Sequence, residues 1–376
     1  MPTFLHGVET VTTYTGATSI QVPGTNVIGI LGLNGVGSTS ATPADLGIPK
    51  LILPSQTLDS QGLLPTWTVY KAIKTIFEIS SPLVIWIPCG EATVSLVQGA
   101  DKFRLAMSMF GFSPKILLSA ESATSPNSSL LTVAAILRAM VLVPIAGASV
   151  AAMVTARATL GDARYVLCGH NVTSISLAAA IPSTWVMAGV MARTDDDPSM
   201  GFWFSPSNKP VTTFNALDLK LTSSLTDSSS DVNTLNAAGI CTFYNSWGTG
   251  YRTWGNRNAS FPVSSGISTF ISVQRTADAI ADAIEAASLT YIDRPINRAL
   301  IDTILENINA FLRRLIGLGA LVDGSASFEN LKNPNDQIAN GQLVISYQFV
   351  PPPPLERLTF VSFLNINLLS SLTTGA

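Results

Sequence analysis

Residues Leu130 to Ala156 read LLTVAAILRAMVLVPIAGASVAAMVTA, and how this run divides decides the fold. Arg138 is its one charge, and it exceeds the roughly 20 residues that a membrane-spanning helix needs. Pro144 and Gly147 interrupt it, so it divides into a helix Leu130 to Arg138, a strand Val141 to Ile145 and a helix Ala148 to Leu160. The same alternation holds on either side. Val27 to Leu31, Leu83 to Ile87, Ile116 to Leu118 and Tyr165 to Cys168 read as buried strands, with helices at Thr68 to Ile79 and Phe103 to Phe110. Continuous apolar strands separated by helices of about a dozen residues predict a mostly parallel α/β sheet.

Charged residues make up 12% of the 376, about half the usual share, and hydrophobic residues 47%. A chain with so few charges hides apolar surface, and a large assembly is one place to hide it. The net charge of −3 argues against a nucleic-acid partner, which wants a basic face. Met1 to Ile20 lacks the basic start and apolar core of a signal peptide, so no membrane insertion is expected.

Sites for chemistry are scarce. The run Gly29, Gly32, Gly35 and Gly37 before Ser38-Thr39-Ser40 resembles a phosphate loop, but Gly37 stands where that loop needs lysine. A strand followed by a flexible loop is the favoured reading; a soluble α/β nucleotide-binding enzyme using Gly29 to Ser40 is the alternative. His170 follows a predicted strand with no nucleophile elbow before it, and reads as a surface or capping residue. Asp195-Asp196-Asp197-Pro198 lacks the glycine and distal Glu of a calcium loop and is expected to cap a turn. Cys89, Cys168 and Cys241 are far apart and odd in number, so they read as buried small hydrophobes. No catalytic residue, metal site or cofactor is expected.

The two ends are different. Val8, Thr10, Thr12 and Tyr14 share one face of an extended segment, with Val11 on the other. Leu343 to Val350 alternates as a strand, Pro351 to Pro354 forms a stiff spacer, and Leu358, Phe360, Leu364, Ile366 and Leu368 alternate again. An unpaired strand of that kind is an aggregation hazard, most simply relieved by pairing with another subunit. Between these ends, Phe270 to Val273 reads as a strand. Ala277, Ile280, Ala281, Ile284 and Ala287 mark one helical face, with Asp278, Asp282 and Glu285 outward. A second helix carries Leu300, Ile304, Ile308, Phe311 and Leu315 and stops at Gly317 and Gly319.

The densest aromatic, glycine and proline signal runs from Gly201 to Arg257 and reads as a rigid buried turn around Trp203, Pro206, Asn208, Tyr251, Arg252, Trp254, Asn256 and Arg257. Its arginines are expected to stack on Trp254 or to pair with backbone carbonyls. The order G-x-W-x-S-P-S-N-K (Gly201 to Lys209), Asn236-Ala237-Ala238-Gly239-Ile240 and Y-R-x-W-G-N-R (Tyr251 to Arg257) resembles the tail-sheath proteins of contractile phage tails, as in P2-like phages and R-type pyocins. The likeness extends from about Ala188 to the C-terminus.

That resemblance implies an α/β and α+β multidomain fold: an N-terminal arm (1–20), the start of a core domain (21–82), an outer α/β domain (83–195), a C-terminal sheath core of mixed structure (196–350), and a polyproline spacer with a C-terminal arm (351–376). It implies a non-enzymatic subunit of a virion tail, assembled in the bacterial cytoplasm. The subunit would polymerise with itself as stacked hexameric rings around an inner tail tube, with baseplate and tail terminator proteins as partners. It would contract to drive the tube through the envelope. Both arms would join sheets of neighbouring subunits. Arg313, Arg314, Lys332 and Asp336 are the candidate tube contacts.

Overall fold

The computed structural model describes residues 20–33, 45–90, 94–121, 127–145, 147–224, 226–245, 248–367 and 369. Val8, Thr10, Val11, Thr12, Tyr14, Gly35, Gly37 and Leu368 lie outside them.

An eight-stranded sheet organises the first two thirds. β1 (Ile28–Leu33) lies third from one edge, and β2 (Lys50–Ile52) forms that edge. After α1 (Thr68–Phe77), β3 (Val84–Cys89) pairs parallel with β1, Ile28 opposite Val84. The chain then runs through α2 (Leu96–Asp101) and α3 (Ala106–Phe110) to β4 (Ile116–Ser119), which takes the other side of β1. α4 (Asn127–Leu137), β5 (Met140–Ile145), α5 (Val150–Ala156) and β6 (Tyr165–Gly169) extend the sheet in parallel. The run from Leu130 to Ala156 is thus divided as its proline and glycine require, and no helix of the described residues is long and apolar enough to cross a membrane.

β7 (Asn171–Ser174), β8 (Ala179–Pro182) and, beyond α6 (Ser183–Asp196), β9 (Phe214–Leu217) form a small antiparallel sheet. After α7 (Asp231–Ala237) the chain returns to the large sheet: β10 (Ile240–Asn245) lies parallel to β6, and β11 (Tyr251–Trp254) closes the far edge antiparallel to β10. The large sheet therefore draws strands from both sides of residue 196.

Both faces are covered, which is why its strands read as continuous apolar runs. Ile28, Ile30, Trp86, Leu142 and Val166 face α1 and α6; Leu31, Ile87, Leu117, Val143 and Leu167 face α2, α4 and α5. α6 is the longest element that periodicity misses. Its residues Ser183 to Ala192 are all buried, so it has no polar stripe to reveal a helix.

The last third is a separate apolar cluster. α8 (Ile271–Ser288) and α9 (Arg298–Gly317) pack together through Ile280, Ala283, Ile284, Ile304, Ile308 and Phe311. β12 (Asp323–Phe328) and, after α10 (Asn335–Ala339), β13 (Ile345–Val350) form an antiparallel pair against α9. Phe270 to Val273 is not a strand. Phe270 is the extended residue before α8, and Ile271, Ser272 and Val273 begin the helix as buried residues, tertiary burial overriding their β propensity.

A second correction concerns Asp278 and Asp282, which face the large sheet with side chains 10% and 16% exposed; Glu285, 63% exposed, stays on the solvent side as expected and reaches back to the same sheet end. Lys115, Arg138 and Arg164 stand just ahead of β4, β5 and β6, so three adjacent parallel strands present three cations along one sheet end. Asp278, Asp282 and Glu285 recur at i, i+4 and i+7 and meet them in turn. Arg164 pairs with Asp278; Asp282 takes Lys115 at 2.6 Å and Arg138 at 3.0 Å; Glu285 takes Arg138 at 2.5 Å. Asp195 completes the attachment by a bidentate pair with Arg275, their side chains 1% and 5% exposed. Of the acidic run expected to cap a turn, only Asp197 does so, accepting from Ser199 N at 2.8 Å.

Candidate assembly surfaces

At the outer edge of the large sheet, the backbone from Pro206 to Val211 lies along β11. Thr253 is the centre of that seam. Its N–H donates to Lys209 O (3.0 Å), its carbonyl accepts from Asn208 N (2.6 Å), and its hydroxyl donates to Pro206 O (2.6 Å). Val211 N donates to Tyr251 O at 2.9 Å, and Pro210 bridges Arg252. Proline fits here because an edge line needs only part of a ladder. Asn208 takes a left-handed φ of +59°, which asparagine tolerates, and its carbonyl accepts from Arg252 at 3.2 Å.

The aromatics fasten this seam to the body. Tyr251 packs on Phe214 at 4.8 Å between ring centres, Trp254 on Tyr244 at 5.0 Å, and Trp203 edge-on to Phe202 at 5.1 Å. Gly255 has φ +129°, and a Cβ there would meet the Cys241 Cα at 2.8 Å. Asn256 O accepts from Ile271 N (2.9 Å), which fixes the start of α8. Neither arginine stacks on Trp254. Arg257 lies over Phe270 (3.6 Å) and Phe261 (4.8 Å) and forms a bidentate pair with Glu356 at 3.1 and 2.6 Å.

Among the described residues β12 and β13 form a sheet of two strands, so each offers a free edge there. Beside β13 opens a groove of about 860 Å³, lined in part by Ile304, Ile308, Ile338, Leu343, Ile345 and Tyr347. Residues 351–365 do not fold back onto either edge. Residues 351–365 hold no strand within the chain, and Leu358, Phe360, Val361, Phe363, Leu364 and Ile366 are 63 to 102% exposed. Periodicity alone could not tell a strand completed by its own sheet from one left without a partner.

The candidate tube contacts fall in two places. Arg313 and Arg314 end α9. Arg313 pairs with Glu306 at 2.5 Å with both side chains exposed, while Arg314 donates to Ile20 O at 2.7 Å and stacks over Phe311. Lys332 and Asp336 flank Pro334; Lys332 holds Glu329 at 2.8 Å and Ser346 at 2.9 Å, and Asp336 opens α10.

The interior offers no reaction centre among the described residues. His170 is buried, not superficial: its Nε2 lies 2.6 Å from Thr242 Oγ1, its Nδ1 lies 3.3 Å from Asn171 O, and burial holds it below its ordinary pKa despite Asp218 at 4.0 Å. Its loop position after β6 suggested exposure, but β10 and the small sheet cover it. Burial pushes the Cys89 and Cys241 thiols up to about 12 and Cys168 well above its usual value, so none is a ready nucleophile. No three metal-ligating side chains cluster among the described residues. Gly29 and Gly32 lie inside β1, where a Cβ would fall 2.6 Å from the Leu117 and Val69 side chains; they admit close helix packing, not a phosphate.

Comparison with known proteins agrees with this geometry. The phage tail sheath central domain matches residues 104–259, and the phage tail sheath C-terminal domain matches 267–365, together about two thirds of the chain. The tail sheath protein of Burkholderia phage BcepMu is 40% identical over 188 residues, 50% of this chain and 39% of that protein. A putative prophage major tail sheath protein of Pseudomonas aeruginosa is 26% identical over 95% of both chains. The fold matches the sheath complex of an extracellular contractile injection system in its contracted state, with TM-score 0.75 over 98% of this chain and 99% of that one, at 15% identity. Two sheath domains matched in order and relatives of structural rather than enzymatic type place this chain in the contractile phage tail sheath family.

Proposed function

We propose that the chain is the polymerising subunit of a virion tail sheath, stacking as hexameric rings around an inner tail tube and contracting to drive that tube through a bacterial envelope. Its assembly in the host cytoplasm, its baseplate and terminator partners and its part in genome ejection belong to the same reading. The observation that carries it is the pairing of an unpartnered apolar arm with an unfilled acceptor in one chain. Residues 358–366 expose six large apolar side chains, while among the described residues β12 and β13 keep free edges beside an apolar groove. At about 1.5 to 3 kcal/mol per fully buried side chain, covering six yields a gross gain on the order of 10 kcal/mol. One chain's arm on the next chain's sheet is a heterologous contact, and a repeated heterologous contact builds helical order. The N-terminal segment Val8 to Tyr14 supplies a second arm on the same reading.

No nucleotide enters this scheme. The energy of contraction is stored in a metastable extended polymer and released as subunits repack. Arg313, Arg314, Lys332 and Asp336 are proposed to hold the tube by charge, a contact weak enough to break on expansion.

Negative-stain electron microscopy of the purified chain beside a chain ending at Arg357 tests the reading. Striated tubes from the full chain, lost on truncation, are expected. Compact monomers from both, or tubes from both, would refute it. In whole tails, reversing the four charges is expected to leave sheath without tube, and intact tails would discard those contacts.

A further inference from the structure

Deepening that reading, and resting on it, we propose that the Arg257–Glu356 ion pair is a latch that fixes where the C-terminal arm leaves the subunit. Its socket is built before Glu356 arrives. Arg257 bridges Phe270 through its backbone, its guanidinium lies 3.6 Å over the Phe270 ring and 4.8 Å over Phe261, and its Nη1 donates to Thr269 Oγ1. Those contacts leave Nε and Nη2 aimed outward, and both donate to Glu356, at 3.1 and 2.6 Å. A planar fork already held by aromatic stacking has little entropy still to lose, so the bidentate bond both attracts and orients.

The approach to the socket is equally restricted. β13 ends at Val350, and Pro351 to Pro354 follow as a strut of about 3.1 Å per residue, with Pro351 buried. The arm is therefore held at both ends of the strut, at the sheet by β13 and on the body by Arg257. Only past Arg357 does the apolar run begin. A strand rooted this way searches a smaller volume for its neighbour than one swinging from Pro354, and a smaller volume means a higher effective concentration. The latch joins the Y-R-x-W-G-N-R segment to the arm across 99 residues of sequence.

The test uses the full chain with Glu356→Ala, the truncation after Arg357, and a spin label at Ser362→Cys. The native thiols Cys89, Cys168 and Cys241 are buried, so the label goes to the new one. Glu356 is 46% exposed, and without it Arg257 keeps Thr269 and its two aromatic rings, so the dilute monomer should melt close to the parent. The expected result is a rise of about tenfold in the concentration needed for tubes, equivalent to about 1.4 kcal/mol, with faster label motion in the monomer. If truncation abolishes tubes but Glu356→Ala assembles at the parent concentration with unchanged label motion, the latch is wrong and the arm reading stands. If the truncated chain assembles normally, the arm reading falls and the latch with it.

Discussion

Replacing Asp282 by Asn tests whether α8 is held to the sheet by its charge ladder. Asp282 takes Lys115 at 2.6 Å and Arg138 at 3.0 Å, and its side chain is 16% exposed. At an effective dielectric of about 20, a unit pair near 2.8 Å attracts by roughly 6 kcal/mol. Desolvation of the three groups cancels much of that, so the pair itself is a modest stabiliser. Breaking it is another matter, because it leaves Lys115 and Arg138 side by side at the sheet end with nothing between them. Removing one partner of such a pair costs roughly 3 to 5 kcal/mol, and here the lower figure applies: Lys115 keeps Leu137 O at 2.6 Å and Arg138 keeps Glu285. At about 2.1 cal/mol/K per residue, this chain's unfolding entropy is about 0.8 kcal/mol/K, so about 3 kcal/mol lowers Tm by about 4 °C.

The assay is thermal unfolding of chains ending at Arg357, so that assembly adds no mass-action stability, with hydrogen exchange along α8 as a local readout. Asp302→Asn is the control. Its partner Arg298 lies at 3.0 Å, but both side chains are more than half exposed, and such a helix-surface pair contributes a few tenths of a kcal/mol. Asp282→Asn should melt about 4 °C low with faster exchange in α8, and the control within about 1 °C of the parent. Equal melting of the two variants would refute the claim that the ladder holds this helix.

Burial holds the His170 pKa below its unfolded value near 6.5, so the unfolded chain binds more protons in the window between the two. Its contribution is fully present above pH 6.5 and is lost as pH falls toward the folded value; His170→Gln should therefore show a smaller Tm drop between pH 7.0 and 5.5 than the parent, and an identical drop would discard this source of acid lability. Gly29→Ala would put a methyl 2.6 Å from Leu117 and 2.8 Å from Phe103, an overpacking cost of about 1 to 3 kcal/mol that should appear as a lowered Tm. A melting point equal to the parent's would mean that Gly29 is not needed for packing.

The α/β region was legible because β1, β3, β4, β5 and β6 are short apolar runs broken at most by glycine or proline, and the helices between them carry stripes. α6 was illegible for the opposite reason: a helix buried on every side has no stripe. The seam between β11 and Pro206 to Val211 carried a signal in its letters but not its geometry. Nothing in 44 residues of separation says that Thr253 bonds Lys209. Periodicity shows that Asp278, Asp282 and Glu285 share a face, while the partners that turn Asp278 and Asp282 inward stand before three other strands. A cation immediately ahead of each of three consecutive buried strands was the signal available, and it appears only when those strands are assumed to lie side by side.

The sparse charges are also placed unevenly, and this bears on how such a subunit polymerises. Ion pairs fix α8 to the sheet and Glu356 to Arg257, both inside one subunit, while Leu358 to Leu369 carries no charged side chain at all. Under the proposed function, pairing of the C-terminal arm with a neighbouring subunit then rests on backbone hydrogen bonds and apolar burial, which salt hardly screens. A charge-held tube contact through exposed side chains such as Arg313 is screened within about 10 Å at 0.1 M salt. The two kinds of contact thus differ in what weakens them. On the proposed function, a sheath built so would release its tube while its own subunits stay linked, the proposed tube contact being electrostatic and the proposed C-terminal arm contact not.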